Sequence, residues 1–154
     1  MHVRLGSCSF VMLVHDAKAL GRKRRVERIL SRLKSGTVVV EGKHDVRKLR
    51  MFGISAVSSG DVLYRKRAID SGKTVYLMTD KDRGGEEKRE KLLGELLGRE
   101  QGLNVNSDLG IAFLKALNVR CAEQIYRPLT ELLETNGEYN GENILRHSKV
   151  FDRG

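Results

Sequence analysis

The chain has 154 residues with a single proline, 16 glycines and no low-complexity stretch, which fits one ordered domain able to bury its own core and excludes a linker-rich protein. Its formal net charge of +9 is uneven: residues 1–50 hold 13 of the 29 Lys and Arg against 4 of the 20 Asp and Glu, so the whole excess sits in the first third. A localised basic excess is the footprint of a polyanion partner; a membrane surface would also ask for a strongly apolar opposite face.

Residues 1–15 contain a short apolar run, Phe10 to Val14, too short to span a bilayer. Gly6, Ser7, Cys8 and Ser9 precede it and His15 and Asp16 follow it, which breaks the pattern of a signal peptide. The segment is expected to be a leader or a docking strand, and the protein cytoplasmic. Residues 16–34 read as a basic helix. Lys18, Arg22, Lys23, Arg24, Arg25, Arg28, Arg32 and Lys34 are opposed only by Glu27, while Leu20, Val26, Ile29, Leu30 and Leu33 recur at roughly helical spacing. A solvated surface helix is the plain alternative, but the shortage of acidic partners favours nucleic-acid binding.

Residues 35–136 alternate between short β-branched runs and helical patterns, which predicts a mostly parallel sheet of about four strands covered by helices on both faces. After Gly36, Thr37–Val40 forms the first strand and Asp45–Met51 a short helix, with Asp45 near its start. Ile54–Val57 is the second strand, Asp61–Asp70 a helix, and residues 74–79 the third strand. Gly84-Gly85 opens what is expected to be the longest helix, with Leu92, Leu93, Leu96 and Leu97 as its buried stripe. Beyond Gly102 the pattern weakens: Leu103–Val105 suggests a strand, Leu109–Leu117 a helix, Val119–Cys121 another strand, and Ala122–Leu133 a last helix limited or kinked at Pro128. Residues 137–154 read as a polar tail.

Two of the predicted strands end in carboxylates. Glu41-Gly42-Lys43-His44-Asp45 follows the first, and Asp80-Lys81-Asp82-Arg83-Gly84-Gly85 follows the third. In an open α/β sheet the carboxyl ends of parallel strands share one rim where ligands bind. Three carboxylates there make a hard-oxygen site suited to Mg²⁺, which accepts one or two carboxylates and fills its shell with water or phosphate oxygens. Phosphodiester chemistry or nucleic-acid binding is the expectation. Each acid also has a plain structural reading: Asp82 as a helix N-cap, Asp45 as another, Glu41 as a loop carboxylate. The cysteines, Cys8 and Cys121, have no Cys or His at metal-ligand spacing, so neither a zinc knuckle nor a disulfide framework is implied.

Glu41 after an apolar strand, Gly42 and Asp45 behind it, then Asp80-x-Asp82-x-x-Gly85 after another strand, about forty residues on, resemble the Toprim domain. Topoisomerases, bacterial-type primases and the 5S ribosomal RNA maturation ribonuclease share that domain. The resemblance covers roughly residues 34–119 and is nearer to the maturase and to small free-standing Toprim proteins than to topoisomerases. It implies a Rossmann-like fold, Glu41 as general acid/base and metal contact, and Asp80 and Asp82 as ligands of Mg²⁺ or Mn²⁺. It implies, too, that Gly42 turns the chain and that Gly85 allows close packing at the helix start. Lys43 and Arg83, with Arg22, Lys23, Arg24, Arg25, Arg28 and Arg32, are the expected nucleic-acid contacts. No zinc-binding module or separate tyrosine-bearing domain is evident, so primase and topoisomerase activity are not expected of this chain. Two readings remain: an Mg²⁺-dependent nuclease acting on RNA, with DNA the second choice, or an RNA-binding module serving an RNA-processing complex. With aromatics at 5% of the chain, phosphate and shape recognition is favoured over base stacking.

Overall fold

The computed structural model describes residues 7–63, 69, 72–99 and 103–134, with side chains of the first helix described from residue 17. A long helix α1 (Ser7–Lys34) leads into β1 (Thr37–Val40), α2 (Lys43–Arg50), β2 (Ala56–Ser58), α3 (Ser59–Leu63), β3 (Val75–Met78) and α4 (Arg83–Arg99). Then come β4 (Val105–Asn106), α5 (Leu109–Leu117), a 3₁₀ turn (Ala122–Gln124) and α6 (Tyr126–Glu134). The strands form one parallel sheet in the order β2-β1-β3-β4.

The residues of β1, β2 and β3 are buried on both sides, and their alternation sorts the core into two layers. Val38, Val40, Ala56, Tyr76 and Met78 face a core shared with Val26, Leu30, Leu33, Leu49, Phe113 and Leu129 from α1, α2, α5 and α6. Val39, Val57, Val75 and Leu77 face the opposite layer, with Val62 from α3 and Leu92 and Leu96 from α4. The period-two pleat sends neighbouring valines of β1 to opposite faces, which is why all four of its residues are buried.

Gly110 lets α5 lie directly on β3. A Cβ there would meet Met78 Cα at 2.9 Å and the Leu77 carbonyl oxygen closer still. Pro128 lies in the first turn of α6, where its missing N–H has no intrahelical acceptor, so it starts that helix rather than kinking it.

Several expectations are corrected. The first helix begins at Ser7, so residues 7–15 are helical and form no docking strand; α1, with 28 residues, and not α4 is the longest helix. Leu20 and Leu97 are exposed, outside the stripes they were expected to join. Val119–Cys121 is not a strand: Asn118 adopts the left-handed conformation that ends α5, and a 3₁₀ turn follows. β2 starts two residues later than Ile54, which is buried but precedes the ladder. Most of the helix expected over residues 61–70, the tail after residue 136 and Cys8's side chain lie outside the described residues. Among the described residues, no helix is long and apolar enough to cross a membrane.

Candidate functional site

The strand order reverses between β1 and β3. From β1 the chain moves outward to β2, then returns to the other side of β1 as β3. Such a switch point leaves a crevice beyond the strand ends, where neighbouring connections diverge. The register pairs Val40 with Met78, so Glu41 and Asp80 emerge side by side at this crevice. The Asp80 N–H donates to Glu41 Oε1 at 3.2 Å. Thus the two half-motifs, separated by 39 positions in sequence, are joined in space by a direct hydrogen bond.

Glu41 is held on every side. Lys88 Nζ donates to its Oε2 at 3.0 Å in a partly buried ion pair, and the Ser59 hydroxyl donates to its carbonyl oxygen at 3.1 Å. Lys88 is the member that sequence reading missed. A lysine in a helix reads as solvent-facing, yet Gly85, Lys88, Leu92 and Leu96 follow the i, i+3, i+4 spacing of one inward stripe, and that spacing is the signal.

Asp82 caps α4: its Oδ1 accepts the Gly85 N–H at 2.7 Å and its carbonyl accepts the Glu86 N–H at 3.0 Å. The cap uses one carboxylate oxygen. Gly85 fits against the turn it caps, because a Cβ there would lie 2.7 Å from the Asp80 carbonyl carbon and nearer still to its oxygen. Gly42 is different. Its φ is −128° and a Cβ would meet only Asp45 Oδ2 at 3.6 Å, so the turn after Glu41 does not require glycine. Asp45 is not the N-cap of α2 but its third residue, where its Oδ2 accepts the Gly42 N–H at 3.0 Å as half of a capping box.

These acids repel one another. Burial, followed by the charges of Glu41, Asp45 and Asp82, pushes the Asp80 carboxyl up from 3.8 to about 6, although Lys88 opposes the shift. Burial also raises Asp45, against hydrogen bonds from the Gly42 and Glu123 backbone. Burial likewise raises the Cys121 thiol, with the Asp80 charge adding to the effect, so this cysteine is not an activated nucleophile. Among the described residues the Asp80 carboxylate accepts no hydrogen bond.

Among the described residues, no three His, Cys, Asp or Glu side chains converge closely enough to hold a metal ion as a group. The three expected ligands, Glu41, Asp80 and Asp82, are engaged to different degrees. Glu41 has both oxygens engaged and Asp82 has one, while Asp80 is open and electrostatically strained. That set fits Mg²⁺, which needs only one or two carboxylates and draws its other ligands from water and phosphate. Asp80 and the second oxygen of Asp82 are the residues that would hold it.

The basic residues divide. Arg22, Arg24, Arg25, Arg28 and Arg32 are exposed on α1. Lys23 is not: it is 7% exposed, lies 3.9 Å from Glu27, and shares the inward stripe with Val26, Leu30 and Leu33, so it is withdrawn from the expected contact surface. Arg83 is exposed and paired with Glu87 at 3.2 Å, and Lys43 is exposed at the start of α2. One hydrogen bond ties α1 to α5 and another ties the rim to the segment that follows α5. Arg22 Nε donates to the Ala116 carbonyl in α5 at 2.8 Å, and the Lys81 N–H donates to the Arg120 carbonyl just beyond α5 at 2.8 Å.

No protein-family model matches the chain, and a search of curated proteins returns no match. Among solved structures, the chain is similar to a protein from Aquifex aeolicus, at 27% identity over 66% of this chain and 95% of that one, with a TM-score of 0.49.

Proposed function

We propose that this is a Toprim-type, Mg²⁺-dependent nuclease that hydrolyses phosphodiester bonds in RNA. The observation that carries this reading is the meeting of Glu41 and Asp80 at the β1/β3 switch point, with the Asp80 carboxyl pushed up to about 6 by the acids around it. A cluster of acids at the ligand edge of an α/β sheet suits a divalent cation and, through it, a phosphate. Mg²⁺ held there supplies charge neutralisation at the phosphate and lowers the pKa of water.

The chain's own residues supply the rest. Asp80 and Asp82 provide the oxygens. Glu41, kept in place by the Asp80 amide and Lys88, is the group positioned to take a proton from an attacking water or return one to the leaving oxygen. Lys88, by neutralising Glu41, keeps the crowded carboxylates together in the folded protein. The exposed arginines of α1 hold the sugar–phosphate backbone, an attraction that weakens steeply with salt.

One observation favours the second reading, an RNA-binding module serving a larger RNA-processing complex: each Glu41 carboxylate oxygen already accepts a hydrogen bond, one from the Asp80 N–H and one from Lys88, which gives Glu41 a structural task in holding the rim together. The two are separated by incubating labelled hairpin RNA, single-stranded RNA and duplex DNA with the protein in Mg²⁺, in Mn²⁺ and in EDTA. The nuclease cuts RNA with Mg²⁺ and not with EDTA. Binding without cleavage in every condition establishes the module instead.

A further inference from the structure

The helix that follows Glu41 has two opposed faces. Asp45, Val46 and Leu49 are buried, and Asp45 is its only acid. Lys43, Arg47 and Arg50 lie on the other side at i, i+4 and i+7, one solvent-facing row, and all three are exposed. Among the described residues none of the three forms an ion pair, and neither the Lys43 nor the Arg47 side chain has a hydrogen-bonding partner. Arg50 lends Nη2 to the Ala56 carbonyl at 3.2 Å, which fixes the far end of the row.

Helices α4 and α6 handle their arginines differently. Arg83 pairs with Glu87, Arg99 with Glu95 and Arg127 with Glu131, each one turn along its helix. On α2, like charges one turn apart repel with no acid paired to them, and only the Arg50 hydrogen bond and the C-terminal end of the helix dipole favour the row. A row of cations without acidic partners that starts two residues past Glu41 is complementary to a polyanion. Its ends are about 10 Å apart along the helix.

We propose that Lys43, Arg47 and Arg50 form a nucleic-acid track, separate from the basic face of α1, that seats the sugar–phosphate backbone of RNA as it enters the carboxylate rim. The track rests on the reading of the rim as an RNA-processing site and adds the path of the strand to it. With no aromatic side chain in the row, it recognises phosphates and not bases.

The test is the salt dependence of affinity for a labelled RNA hairpin, measured in EDTA so that cleavage plays no part. The full chain is compared with the double variant Lys43→Gln, Arg47→Gln, and with a control that removes equal charge elsewhere, Lys115→Gln with Arg127→Gln. The track variant should bind about 10-fold or more weakly at low salt, and its slope of log K against log salt should fall by about 2, one for each lost phosphate contact. Its melting temperature should match that of the parent, since neither side chain holds the fold. The control should keep the parent slope. An unchanged slope in the track variant overturns the proposal, as does an equal fall in the control, which would assign the effect to net charge alone. Hairpin binding that follows this pattern in a protein that never cuts RNA would sink the hydrolytic reading and leave the track in place.

Discussion

Asp80→Asn should abolish Mg²⁺-dependent RNA cleavage and yet leave the metal-free protein more stable at neutral pH. The loss of activity should reach roughly 10³-fold, the scale seen when one preorganised electrostatic group is removed from a site. The gain in stability follows from the same charge. The Asp80 carboxyl is raised from 3.8 to about 6 in the folded protein, so the folded state holds its proton more tightly than the unfolded chain does. Below 3.8 both states are protonated and the group is neutral to folding. Between 3.8 and about 6 the unfolded chain gives up its proton first, and stability falls as pH rises; above about 6 the loss is complete.

An asparagine has no such loss. The difference should vanish in acid and amount to about 1 kcal/mol in favour of the variant near neutrality, after allowance for screening at this partly exposed position. Denaturant midpoints in EDTA at the two ends of that window check the sign. A variant that cleaves normally, or that is less stable than the parent at neutral pH, contradicts the assignment of Asp80.

Gly85→Ala should be among the most disruptive small substitutions in the chain. The added methyl would lie 2.7 Å from the Asp80 carbonyl carbon and 2.9 Å from its nitrogen. These are backbone atoms at the end of a buried strand, and they cannot rotate away as a side chain would. Either α4 tilts or the Asp80 turn shifts, at a cost of about 3 kcal/mol, and either movement breaks the Asp80–Glu41 hydrogen bond. Within the same helix, Gly94 has nothing within 4 Å of its missing Cβ, so Gly94→Ala should stabilise by about 1 kcal/mol through helix propensity. Opposite signs for one chemical change, read from unfolding midpoints, would establish that packing at the rim and not glycine content governs the effect. Equal, mild effects at both positions would contradict it.

What could be read from the sequence was what depends on local pattern. The β-branched runs of β1 and β3 are short, apolar and bounded by turns, so they identify buried strands, and the parallel-sheet rule then places Glu41 and Asp80 on a single rim. The helix Leu109–Leu117 matches its expected bounds because Asn106 and Ser107-Asp108 open it and Asn118 closes it. What depended on tertiary placement was not legible. Phe10 to Val14 is an apolar run of five, a length at which strand and helix cannot be told apart by period, and it proved helical. Lys88 and Lys23 look like surface lysines until neighbouring elements fix which side of the helix is buried. Leu20 and Leu97 fit an apolar stripe by spacing, but nothing packs over them sufficiently to bury them. The distinction between three carboxylates near one another and three that converge is a matter of side-chain direction, which spacing does not record.

The most direct measurement is Mn²⁺ binding to the parent and to Asp80→Asn, followed by electron paramagnetic resonance of the free ion. One ion should bind per chain, Mg²⁺ should compete for it, and the variant should lose it. If the parent takes up no ion, or if the variant binds as well as the parent, the rim at the ends of β1 and β3 is not a divalent-metal site.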